Sequence, residues 1–144
     1  MFNFSTNLVS KFSCHLFLGP KWKKGIFFFS LREIIKKKCV PCEGAVQAFD
    51  ISESHKYQKK VDGWEIVQNE SKAYLLEKKF KFKNFLESQK FINAVGKVSE
   101  EEGHHPDIMF GWGYAKINIT THAIEGLSEN DFILAAKIDR IINV

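Results

Sequence analysis

At Asn84 the spacing of the apolar side chains changes from every second residue to every third or fourth. Before that point Tyr74, Leu76, Phe80 and Phe82 share one parity while Glu77, Lys79 and Lys81 take the other, the pattern of a strand with one face buried and one wet. After it Phe91, Ala94, Val95 and Val98 fall at i, i+3, i+4 and i+7, led in by Phe85 and Leu86, which marks the apolar stripe of a helix. A chain that carries both periods back to back cannot fold as a pure helical bundle or a pure β-sandwich. It belongs to the α+β class.

The flanking segments extend this reading. Asp50 and Glu53 form a capping-box pair that opens a short helix reaching Val61. Trp64 to Gln68 reads as a strand, joined through an Asn69–Lys72 turn to the strand over Ala73–Phe82, so an antiparallel hairpin is expected. Gly103 suits the left-handed cap that ends the long helix. Ile117 and Ile119 alternate with Lys116, Asn118 and Thr120, giving a third strand over Ala115–Thr121, and Asp107 to Trp112 is the candidate for a fourth. Ser128 and Asp131 repeat the capping signature ahead of a C-terminal helix, whose Phe132, Ile133, Leu134, Ala135, Ile138, Ile141 and Ile142 make a very broad apolar face. So wide a face predicts self-association through that helix. The longest unbroken apolar run, Phe132 to Ala136, is far below the roughly 20 residues of a membrane-spanning helix, so no membrane partner is expected.

Charge divides the chain. Residues 1–38 hold eight basic side chains against the single acid Glu33, whereas residues 39–144 hold 13 basic and 16 acidic ones. The basic leader, rich in Phe, Ser and Lys, has the composition of an organellar transit peptide, and a mitochondrial or other organellar destination is expected. The acidic remainder offers no electrostatic basis for binding nucleic acid. Cys14, Cys39 and Cys42 are too few to staple a secreted fold, and the Cys39-Val40-Pro41-Cys42 element is by itself a weak redox or zinc signal.

The chemistry concentrates in Glu100-Glu101-Glu102-Gly103-His104-His105-Pro106-Asp107. Three carboxylates in the last helical turn oppose the helix dipole, a local conflict of the kind expected at a functional site. Glu100 and His104 are four apart, as are Glu101 and His105, so carboxylate–imidazole pairs are expected if the helical turn continues. His122 adds a third imidazole at the end of the third strand. A three-histidine metal set is one reading, and unemployed surface histidines are another. General acid–base work on a small polar substrate suits the set best, because imidazole both donates and accepts near neutral pH.

The joint pattern of His104-His105-Pro106-Asp107, Trp112, His122 and Glu125-Gly126-Leu127-Ser128-Glu129-Asn130-Asp131, preceded by Glu100, resembles the signature of the pterin-4a-carbinolamine dehydratase family, over residues 48–144. The Cys39–Cys42 element of residues 39–47 is similar to a lead-in of plant-like, organelle-targeted members. The resemblance implies a four-stranded antiparallel sheet with helices packed on one face, in α-β-β-α-β-β-α order, and assembly as homodimers or homotetramers. It also implies dehydration of a 4a-hydroxytetrahydropterin with no metal or cofactor, His104, His105 and His122 being catalytic and Glu100, Trp112 and Asp131 lining the substrate. Trp112 either stacks on the pterin or fills core. Two other roles go with the resemblance: a non-catalytic dimerisation or coactivator-type binding protein, and a role in molybdopterin metabolism.

Overall fold

The computed structural model describes residues 33–41 and 46–142. Residues 1–32 of the leader assigned over 1–38, and the dithiol reading that needs Cys42, lie outside the described residues.

Helix α1 covers Ile51–Gln58 and is capped as the sequence predicts, with Asp50 accepting the Glu53 backbone N–H at 2.7 Å. Strands β1, Glu65–Gln68, and β2, Tyr74–Lys81, pair antiparallel with Ile66 opposite Leu76. Helix α2, Phe85–Glu102, starts on an Asn84 cap and ends at Gly103, whose φ of 63° is the left-handed conformation that glycine adopts without a Cβ penalty. Strands β3, Asp107–Gly111, and β4, Tyr114–Ile119, form a second hairpin, and helix α3, Glu129–Ile142, closes the chain. The strand order is β1-β2-β4-β3, antiparallel throughout.

The β3–β4 turn is built from Trp112 and Gly113 between Gly111 and Tyr114. Gly113 has φ +76°, and a Cβ there would sit 3.1 Å from the Phe82 carbonyl, so the turn favours glycine at this position.

The period-two residues of the strands and the stripe of α2 face each other as expected. Leu76, Phe80, Ala115, Ile117 and Ile119 on one sheet face bury against Phe91 and Val95 of α2 and the body of α3. The opposite parity of β2 and β4 carries Glu77, Lys79 and Lys116, with Lys116 paired to Glu77 at 2.7 Å. On α3, Phe132, Ile133, Leu134, Ala135, Ala136 and Ile138 are all buried within the single chain. The apolar excess on which self-association was expected is therefore covered by the chain's own sheet and helices. Only Ile142 at its far end stays open, at 47%. Part of that cover comes from outside the family-like region: residues 33–36 are helical, and Ile34, inside the stretch assigned by charge to the leader, lies in the core.

A charged pair reaches into this core. Lys78, on the inward parity of β2, meets Asp139 of α3 at 2.7 Å, and the Trp64 indole N–H donates to the same carboxylate. Burial still holds the Asp139 carboxyl above its ordinary range, despite the ammonium and indole that oppose it.

Candidate active site

The site is assembled where α2 ends and β3 begins. Gly103 reverses the chain: its N–H reaches Glu100 O at 3.2 Å and the His104 N–H reaches Ser99 O at 3.1 Å. The helix therefore does not continue, and the expected Glu100–His104 and Glu101–His105 pairs do not form. The reversal turns the two adjacent histidines to opposite environments. His104 points inward and is 5% exposed, with its Nε2 2.9 Å from Asp131 Oδ1. His105 points outward, with its Nε2 3.0 Å from Glu100 Oε2 on a pair that is mostly solvent-exposed.

Asp131 carries the capping signature of α3 and uses it twice. Its Oδ2 accepts the Ser128 backbone N–H at 2.6 Å, as a capping residue should, and also the Thr121 hydroxyl at 2.8 Å and the Ser128 hydroxyl at 3.2 Å. Its other oxygen is left for His104. A carboxylate can only accept, so His104 presents its Nε2–H to Asp131, and the imidazole's orientation is set by a fully buried anchor. The sequence marks Asp131 and, through the Ser-x-x-Asp capping spacing, Ser128, whereas no local signal marks Thr121.

His122 opens a short 3-10 turn, His122–Ile124, directly after β4, and its side chain is exposed. The turn is closed by the Thr121 N–H to Gly126 O at 3.0 Å and by Glu125 in a left-handed conformation. Since Asp107 lies opposite Asn118, the residues just before β3 and those just after β4 sit at one end of the hairpin. His104, His105 and His122 therefore share that end.

Trp112 does not. It is at the turn joining β3 to β4, a whole strand length away, which for the six residues of β4 is about 20 Å. It is 73% exposed, so it neither fills core nor shares the histidine end of the hairpin. Among the described residues no three His, Cys, Asp or Glu side chains gather as a metal-binding group.

The acidic turn of α2 is answered by partners from elsewhere. Glu100 meets His105, while Glu102 turns away from the site to Lys137 of α3 and to the backbone N–H of Cys39. Burial pushes the Glu102 carboxyl up, but the Lys137 ammonium and the Cys39 N–H outweigh it and hold the group below its ordinary value.

Comparison with known proteins agrees with the motif. The family described as Pterin 4 alpha carbinolamine dehydratase matches residues 47–141. The chain belongs to that family. Its curated relatives include a protein of Rubrobacter xylanophilus named for pterin-4-alpha-carbinolamine dehydratase, 44% identical over 111 residues, which cover 77% of this chain and 100% of the relative. A relative of the same name from Halorhodospira halophila is 46% identical over 105 residues, covering 73% of this chain and 94% of its own. Among solved structures, the Brucella melitensis protein titled transcriptional coactivator/pterin dehydratase has a TM-score of 0.61 at 25% identity, covering 66% of this chain and 98% of its own. Membership places the chain among the hydro-lyases, and the α+β fold with a four-stranded antiparallel sheet is the family's.

Proposed function

We propose that this chain removes water from a 4a-hydroxytetrahydropterin, giving the quinonoid dihydropterin, by histidine acid–base catalysis in tetrahydropterin recycling. The observation that carries the reading is the end of the β3–β4 hairpin, where two exposed imidazoles, His105 and His122, share one end with a buried His104–Asp131 pair. Elimination needs one proton delivered to the 4a-hydroxyl, so that the C4a–O bond breaks and water leaves, and one proton taken from N5 as the C4a–N5 double bond forms. One imidazolium and one neutral imidazole supply both transfers and end with their roles exchanged, and solvent resets them. Glu100, hydrogen-bonded to His105, orients that ring. His104, held by Asp131, binds and polarises the pterin ring.

The coactivator title belongs to the Brucella melitensis protein, and residues 39–144 of this chain carry a net negative charge, which gives no electrostatic basis for binding nucleic acid. The organellar destination of the leader rests on its composition alone. The deciding experiment is a dehydration assay with the purified chain and chemically generated 4a-hydroxytetrahydropterin, followed by absorbance. Turnover well above the spontaneous rate is expected; a rate equal to the buffer control refutes the assignment.

A further inference from the structure

The segment before the family-like region is tied to the two backbone stretches that carry the site. The Cys39 backbone N–H donates to Glu102 Oε2 at 3.0 Å, and Glu102 lies two residues before His104. Val40 is held at both its polar atoms by one side chain: its N–H donates to Asn130 Oδ1 at 3.0 Å, and Asn130 Nδ2 donates to its carbonyl at 2.8 Å. Asn130 directly precedes Asp131. The Cys39 thiol adds a 3.6 Å contact to the Asn130 carbonyl, and Lys37 pairs with Glu129. At its other end the segment is anchored by Ile34, 3% exposed in the core.

We propose that Ile34–Val40 is a positioning strap for the catalytic site, holding the end of α2 through Glu102 and the start of α3 through Asn130 so that His104 and Asp131 meet in register. The strap acts through the backbone: Glu102 and Asn130 stand beside the two members of the buried pair, and both are secured by consecutive strap residues. Glu102 is also paired to Lys137, and Asn130 is 2% exposed, so each tie is made by a side chain with little freedom to move. An amide that matches both backbone groups of Val40 fixes the strap's register as well as its presence, which a merely apolar contact does not do. Cys39 is in this setting a packing residue, its thiol pushed up to about 12 mainly by burial, and not a reactive thiolate.

The inference rests on the dehydratase reading, and its test separates the two. In the full chain, Ile34→Ala loosens the remote anchor and Asn130→Ala removes the clamp, while Val61→Ala truncates a comparably buried core side chain at the α1–β1 connection. Two quantities are measured for each variant: kcat and KM for dehydration, and the ring-nitrogen NMR signals of His104, identified by their loss in His104→Gln. Both strap variants are expected to shift the His104 ring signals and to lower kcat about tenfold with KM nearly unchanged, the response to a misaligned catalytic group. Val61→Ala is expected to lower the melting temperature without moving either quantity. Wild-type ring signals or wild-type kcat in folded Ile34→Ala overturn the strap, as does an equal kcat loss in Val61→Ala. Should Asn130→Ala not fold, Ile34→Ala alone decides. If the wild-type chain has no dehydratase turnover while the ring signals still shift in the strap variants, it is the dehydratase reading that fails.

Discussion

His104 and His105 are neighbours in sequence and opposites in environment, and the difference sets what their replacement does. His105 and His122 are exposed, so His105→Ala or His122→Ala removes an imidazole without opening a cavity, and each is expected to cut kcat by about a hundredfold or more while the unfolding midpoint stays within experimental error of the wild type. Steady-state kinetics beside urea denaturation checks both halves. Trp112 is the complementary case: an indole at the turn, a strand length from the histidines, should be dispensable to the chemistry. Trp112→Ala is expected to leave kcat and KM at wild-type values in the same assay, and a rise in KM of tenfold would return it to the binding site.

Among the elements, those with a sharp period are legible in the sequence. The parity of Tyr74 to Phe82, the Phe91–Val98 stripe and the Asn84 and Gly103 boundaries all correspond to observed features, because one buried face leaves a repeating trace in the sequence. The site was legible as composition but not as geometry. The His104–Asp131 pair joins residues 27 positions apart, and the Gly103 reversal that separates the two imidazoles also cancels the helical spacing used to pair them with Glu100 and Glu101. The conflict of three acids with the helix dipole marks the turn that carries His104 and His105, and one of the acids, Glu102, has a testable titration. Its carboxyl is held below the ordinary 4.5, so its ties to Lys137 and Cys39 contribute stability above that value and lose it as pH falls through the lowered one. The wild-type advantage over Glu102→Gln, measured by urea unfolding, should be full well above the ordinary 4.5 and shrink only as pH falls below it through the lowered value.

For the whole molecule, the boundary drawn by charge and the boundary drawn by packing differ. Charge puts the leader's end at Lys38, yet Ile34 lies in the core, and burying a side chain of that size contributes about 1.5–3 kcal/mol. A chain beginning at Cys39 should therefore be less stable than one beginning at Glu33 by about 2 kcal/mol, seen as a lower urea midpoint with an almost equal slope. The strap's clamp also links positions 90 apart, Val40 near the start of the fold and Asn130 at the head of its last helix. Fastening such distant parts forfeits chain freedom that a local turn keeps, and only a few side chains offset the loss. The molecule is therefore expected to undo itself from this seam. The amides of Cys39 and Val40 should exchange deuterium through brief local detachment, while those of Val95 and Ile117, deep between helix and sheet, wait for the entire fold to open.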